Sequence, residues 1–304
     1  MRLPNINYLI YLMARSALHQ SKRLVPNVLV PSSIPLSSRF AIGITTYIER
    51  YDLYFKPLYI ALSKIFPQAP IIVAVNGCPD ADAQRIYLER LNSELCAHAP
   101  QHHRFVLHQV PVGLTTLWNE ILVLGLPQPL LILNDDLQVY PWLRRWSEKV
   151  DWQNVSLTLL NSTWSHFIIT PKIIQKLGYF DSGFTGIGFE DMDYTALAGM
   201  LKVSIHDVLC PYLTHRNHQP KRTSFDTQST RVWGKYTSAN QQYFFNKWQE
   251  CPRGEGVYIK QLKASVRPIN NSLRICSLPS SIERIKQITS EVIFADASLT
   301  VNPY

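Results

Sequence analysis

The chain has 304 residues, with 30 Lys plus Arg against 22 Asp plus Glu for a formal charge of +8, and 46% of its residues are hydrophobic against 17% charged. That is enough apolar material to bury roughly three quarters of the unfolded surface, which excludes a mainly disordered chain, and no run approaches the roughly 20 apolar residues of a membrane-spanning helix. The five cysteines are odd in number and contain no C-x-x-C pair, which argues against a disulfide framework or zinc ribbon and for a reducing, cytoplasmic setting.

Taken in chain order, Asn5 to Gln20 has helical spacing, and a Pro/Ser linker follows from Pro26 to Ser38. Arg15 interrupts the apolar run and no small-residue cleavage site follows it, so the segment does not read as a signal peptide. Leu9, Ile10, Leu12 and Met13 beside Lys22 and Arg23 suit peripheral contact with an anionic membrane at its inner face; a plain solvated helix is the alternative. Residues 1–38 are thus an N-terminal helix and linker, 39–250 a main domain with halves at 39–140 and 141–250, and 251–304 an extension patterned only near Ile282 to Ile288.

Phe40 to Thr46, Pro70 to Asn76, Phe105 to Val110 and Leu130 to Asn134 are short apolar runs of buried-strand type. Leu53 to Phe66, Ala81 to Ala97 and Leu114 to Gly125 lie between them with helical spacing. This alternation predicts an α/β fold with a Rossmann-like, mostly parallel sheet flanked by helices. Ligands in such sheets sit beyond the carboxyl ends of the strands, which directs attention to Thr46, Tyr47, Asn76, Asp80, Gly113, Asp135 and Asp136. Farther on, Val155 to Leu160 and Phe167 to Thr170 predict strands of a mixed edge, Lys172 to Leu177 a short helix, Tyr194 to Leu201 a helix and Val203 to Val208 a strand. A basic loop from His215 to Lys235 and a helix from Ser238 to Trp248 complete the domain.

Three clusters could carry chemistry. Asp135 and Asp136 end an apolar strand, and adjacent carboxylates there repel by roughly 4 kcal/mol at about 4 Å unless a proton or cation relieves them. A hard divalent cation, Mn²⁺ or Mg²⁺, suits those oxygens; a solvated turn or helix cap is the competing reading. Glu190, Asp191 and Asp193 follow a glycine-spaced loop, where a general base or a helix-capping acidic turn fits the pattern equally. His215 could complete a metal site and Arg216, Lys221 and Arg222 could bind phosphate, although an incidental surface loop has the same composition.

In combination these clusters resemble the family 2 glycosyltransferases, inverting enzymes of the GT-A fold, from about Phe40 to Trp248. Ile44-Thr45-Thr46-Tyr47 is similar to the first strand and its Thr-Tyr turn, and Val75 to Asp80 to the nucleoside-contacting strand end. Gly113 with Asn119 resembles the helix before the metal motif, Leu133-Asn134-Asp135-Asp136 the DxD-type motif, and Gly188 to Asp193 the Glu-Asp motif. Asn240 to Trp248 resembles the helix that closes the catalytic domain.

The resemblance implies transfer of a sugar from a nucleotide-sugar donor to a glycan or lipid-linked acceptor, in surface polysaccharide synthesis, with a smaller mixed sheet on the acceptor side. It assigns the cation to Asp136 and His215, the general base to Asp191, acceptor contacts to Glu190, Trp164 and Phe189, and donor contacts to Thr46, Tyr47, Glu49, Asn76, Asp80, Gly113, Asn119 and Asp135. Val75 stands where many members carry an acidic nucleoside contact, and Ile48-Glu49 where an Asn or acidic residue is usual. A pyrophosphorylase would need a Gly-rich phosphate loop after the first strand, which is absent. A non-catalytic nucleotide-sugar or glycan-binding relative is the alternative. The basic residues are dispersed outside the Arg216 to Lys235 loop, which argues against nucleic acid as a partner.

Overall fold

Four strands form the parallel half of the central sheet: β1 (Ala41–Thr46), β2 (Ile71–Val75), β3 (Arg104–Leu107) and β4 (Leu130–Asn134). Nearly every residue of β1, β2 and β4 is buried, as continuous apolar runs require when both faces are covered. Three helices make the connections: α1 (Lys56–Ile65), α2 (Ala81–Glu94) and α3 (Leu114–Gly125). Alternate residues of β1 feed two apolar layers, Ile42 and Ile44 on one face, Ala41 on the other. Gly43 lies directly under α3, where a Cβ would stand 2.2 Å from Ile121 Cγ2, so the helix rests on the strand backbone.

The computed structural model describes residues 40–215 and 238–248. The expected N-terminal helix, the linker, the basic loop beyond His215 and the C-terminal extension lie outside the described residues. No described helix is long and apolar enough to cross a membrane.

After β4 come β5 (Leu137–Val139), α4 (Leu143–Glu148), β6 (Leu157–Leu160), β7 (Thr163–Ile169), α5 (Pro171–Leu177), α6 (Glu190–Met200), β8 (Ile205–Val208) and β9 (Leu213–His215); residues 238–247 are helical. β7 pairs antiparallel with β4, β6 antiparallel with β7 and β8 parallel with β6, giving a seven-stranded sheet of order β3-β2-β1-β4-β7-β6-β8. The fold is therefore the expected α/β layer with a mixed edge. The smaller sheet is the antiparallel pair β5–β9, which joins Leu137 to His215.

Two local differences have physical causes. The expected helix from Leu53 begins as a 3₁₀ turn, Ile48–Arg50, and a π-helical turn, Tyr51–Phe55, before α1. Pro57, which lacks an N–H, falls in the first turn of α1 where none is needed. α6 starts at Glu190 and not at Tyr194, because Glu190, Asp191 and Asp193 belong to its first turn, where backbone N–H groups and the dipole favour carboxylates.

The strand order also places the site. The chain builds outward from β1 to β2 and β3, then returns to the other side of β1 as β4. The order reverses between β1 and β4, and the crevice beyond their carboxyl ends is where open α/β sheets bind ligands. Thr45 pairs with Asn134 at that edge, so Thr46 and Asp135 continue from neighbouring strands.

Candidate active site

Asp135 and Asp136 leave β4 into the crevice and are nearly sealed, at 1% and 7% exposure. Arg50, delivered by the 3₁₀ turn after β1, spans both carboxylates with one fork. Its Nη1 lies 3.0 Å from Asp135 Oδ1 and its Nη2 lies 2.8 Å from Asp136 Oδ2. The Tyr47 and Tyr54 rings flank the guanidinium, with centroids 5.8 and 5.3 Å from its carbon, a setting that favours a delocalised cation. The short β5–β9 sheet brings His215 to the other oxygen, with Nδ1 3.5 Å from Asp136 Oδ1. Behind it stands the buried His166 ring, 5.3 Å from that of His215 and held on β7 opposite Leu133.

The two neighbouring acids are thereby made unlike. Burial pushes the Asp135 carboxyl up to about 7 despite the pull of Arg50. Burial acts on Asp136 in the same direction, but His215 and Arg50 together outweigh it and hold that carboxyl well below the usual range. Asp136 is the anion of the pair.

A hard divalent cation fits what Asp136 and His215 offer. Carboxylate oxygen with imidazole nitrogen is a suitable donor set for Mn²⁺ or Mg²⁺, and 3.5 Å is a separation that two ligands of one ion, each at about 2.1 Å, can take. Among the described residues no group of three or more His, Cys, Asp or Glu converges in a way that could hold a metal. Among the described residues two ligands would be supplied there, a number suited to an ion whose shell phosphate oxygens and water complete.

The second acidic cluster opens α6. Phe189 takes a left-handed conformation, φ 71°, turning the chain so that Glu190 Oε2 accepts the Gly188 N–H at 2.5 Å. Asp191 Oδ1 accepts from Met192 N at 2.8 Å, and its backbone carbonyl from Thr195 Oγ1 at 2.7 Å. Burial raises the pKa of both carboxyls, and for Glu190 the neighbouring Asp191 adds to it.

Two supports aim this cluster at the sheet edge. The loop before it lies on the start of α3: Leu114 N donates to Gly186 O at 2.7 Å, and a Cβ on Gly113 would stand 2.9 Å from Phe184 O. The helix at 238–247 holds the other side, with Asn240 Nδ2 donating to Thr185 O and Gly188 O at 2.8 Å each. Lys247 Nζ reaches Asp181 at 2.6 Å and Asp193 at 2.9 Å, and Trp248 Nε1 donates to Asp193 at 2.7 Å. The clusters share one end of the sheet, because Trp164 at the start of β7 donates to Thr195 on α6 while His166, two residues on, pairs with β4.

The residues singled out from the sequence fall into three groups. Thr46, Tyr47, Asp135, Asp136 and His215 meet at the first cluster; Gly113, Phe189, Glu190 and Asp191 belong to the second; Glu49 is exposed beside the first. In the third group the side chains hold backbone. Asn76 bridges Val112, donating to its carbonyl at 3.0 Å and accepting its N–H at 2.8 Å. Asp80 caps α2 through Asp82 N and Ala83 N, and Asn119 pairs with both backbone groups of Phe180 at 2.8 and 2.9 Å. Trp164, expected as a sugar platform, is 7% exposed and packed edge-on against Phe167 and Tyr194, so its ring is core. Arg50 was not singled out, although the need of two buried acids for a cation and its place after β1 were both visible.

A scan against protein-family models and a search of curated proteins return no match. Among solved structures the chain is similar to glucosyl-3-phosphoglycerate synthase from Mycobacterium tuberculosis in complex with Mn²⁺, UDP and glucosyl-3-phosphoglycerate, at 13% identity and a TM-score of 0.43, over 66% of this chain and 78% of that one. It is also similar to a mannosyltransferase from Pyrobaculum calidifontis in complex with GDP-Man and Mn²⁺, at 12% identity and a TM-score of 0.42, over 74% and 70% of the two chains. Similarity this remote assigns no activity.

Proposed function

We propose that the chain is an inverting, metal-dependent glycosyltransferase that moves a sugar from a nucleotide-sugar donor to a hydroxyl of a glycan or lipid-linked acceptor, in surface polysaccharide synthesis. One observation carries the reading: two unlike acidic clusters lie at one sheet end, beside the reversal of strand order. Asp136 with His215 forms a cation-type donor set, and Glu190 with Asp191 forms a pair whose ionised forms are disfavoured by burial.

The residues divide the work accordingly. Asp136 and His215 hold the cation, with Asp135 behind them, and Thr46 and Tyr47 face the donor from the end of β1. When bound, Mn²⁺ or Mg²⁺ supplies Lewis-acid neutralisation of the departing diphosphate, a contribution of several kcal/mol. Asp191 takes the proton from the acceptor hydroxyl as that oxygen attacks the anomeric carbon from the face opposite the diphosphate, which inverts the centre. A carboxylate whose pKa burial raises is a stronger proton acceptor than an ordinary aspartate. Glu190, steadied by Gly188, and Phe189 orient the acceptor. The +8 balance favours approach to an anionic surface or polyanionic acceptor.

The test is thermal stability of the purified chain against UDP, GDP, CMP and dTDP, each with and without Mn²⁺. A ligand at a hundred times its dissociation constant adds about 2.7 kcal/mol. A shift with one nucleotide that needs the metal supports the reading and identifies the base; no shift with any of them overturns it in favour of a non-catalytic glycan-binding relative.

A further inference from the structure

The carboxylate pair assigned to the cation already has one. We infer that Arg50 is a resident counter-cation that competes with the divalent ion for Asp135 and Asp136, so that metal and diphosphate bind well only together. The inference deepens the reading above and rests on it.

The argument is one of charge and of ligand count. Asp135 and Asp136 with Arg50 sum to no more than one negative charge in nearly sealed surroundings. Adding a bare divalent ion makes that sum at least +1 and sets two cations side by side where the surroundings screen them poorly. The diphosphate of a nucleotide-sugar brings two negative charges and removes the excess. Without Arg50, the two carboxylates would balance a divalent ion alone.

The ligand count points the same way. Among the described residues Asp136 Oδ1 and His215 Nδ1 are the oxygen and nitrogen offered, while Asp136 Oδ2 is taken by the guanidinium at 2.8 Å. An ion with two protein ligands depends on phosphate oxygens for the rest of its shell. Arg50 is also placed to follow the exchange. It is 13% exposed at the mouth of the crevice, between two tyrosine rings, at the junction of a 3₁₀ and a π-helical turn, and π turns recur where helices serve function. Its planar fork, now spread over two carboxylates, fits phosphate oxygens equally well. With a divalent ion held by Asp136 and His215, the guanidinium would be placed to pair with the diphosphate.

The experiment is a Mn²⁺ titration followed by the paramagnetic resonance of the free ion, with MnCl₂ alone as the probe, on the full-length chain and on Arg50→Gln, each with and without Asp136→Asn. Wild type should bind Mn²⁺ weakly in the absence of diphosphate, and R50Q at least tenfold more tightly. UDP should tighten Mn²⁺ binding at least tenfold in wild type and much less in R50Q. Equal Mn²⁺ affinity in wild type and R50Q, with binding abolished by D136N, overturns the inference while leaving the metal site standing. Mn²⁺ binding that D136N leaves unchanged in the R50Q background overturns the site assignment itself.

Removing the guanidinium leaves two acids buried together, so R50Q should melt earlier than wild type and be restored by MnCl₂ but not by KCl. If R50Q cannot be purified, the double variant R50Q/D135N, which removes the guanidinium together with the neighbouring acid and so releases Asp136 Oδ2, tests the ligand count. It too should bind Mn²⁺ more tightly than wild type, and affinity at or below the wild-type value overturns the inference.

Discussion

The two acidic clusters are made of the same side chains and are neutralised by opposite means. At the end of β4, Asp135 and Asp136 face a guanidinium and an imidazole, and Asp136 stays an anion in spite of its depth. At the head of α6, Glu190 and Asp191 accept neutral backbone N–H groups, and burial pushes both toward the protonated form. Two residues on, Asp193 shares the ammonium of Lys247 with Asp181, and burial still raises its pKa. Depth alone therefore does not set the chemistry of a buried acid; the balance of burial against the number and charge of its partners does, and of the acids in the two clusters Asp136, with two such partners, is the one held below its usual range. Acids held by cations are suited to exchanging one cation for another, and acids held by dipoles are suited to receiving a proton.

That contrast can be broken most severely at Lys247. Lys247→Met leaves Asp181 and Asp193 without their shared ammonium, and the expected loss is about 3–5 kcal/mol, read as a fall in the urea midpoint. Next comes the proton acceptor. Asp191→Asn should lower turnover at least a hundredfold, about 2.7 kcal/mol in the barrier, with nucleotide affinity kept; initial rates and a nucleotide titration on the same preparation decide it.

A smaller effect separates the clusters by pH. Because the folded-state pKa of Glu190 is raised, the folded protein keeps a proton there that the unfolded chain has released, so its contribution to stability is complete below the ordinary Glu range near 4.5 and is lost as pH rises through the raised value. Glu190→Gln should flatten that decline by about 1–2 kcal/mol between mildly acidic and mildly alkaline urea titrations. Asp136→Ala should weaken metal-dependent UDP binding at least tenfold, about 1.4 kcal/mol, by calorimetry with and without Mn²⁺. The smallest change is at Asp80, whose replacement by Ala should cost about 1 kcal/mol as a lost helix cap; a loss of nucleotide affinity in its place would move Asp80 into the donor site.

How much of this was legible in the sequence depended on the range of the interactions. β4 and α3 were read to the residue, because uninterrupted burial and a strong helical period are local signals. The strands β5 and β9 were not, since three-residue strands carry no period and exist only because they pair with each other. Both acidic clusters were visible as clusters. That Asn76 and Asn119 tie down backbone was not, because their partners lie 36 and 61 residues away. Trp164 shows the same limit: an aromatic residue near an expected site reads alike whether it lines the cleft or, as here, fills the core beneath it. Arg50 was the accessible omission, four residues past Thr46 on the strand that adjoins β4.

The bonds from Asn240 to the loop before Glu190 span 55 and 52 residues, and they give the site an order of assembly. Among the described residues, the ion pairs of Arg50, Asp135 and Asp136 reach no farther along the chain than His215, so they can form while the chain is still being made. The corner that carries Asp191 waits for Asn240, Lys247 and Trp248 to emerge from the ribosome. A chain cut at residue 237 would keep every ion pair described for the first corner and lose the clasp described for the second, so the two sets of contacts are separable by where synthesis stops.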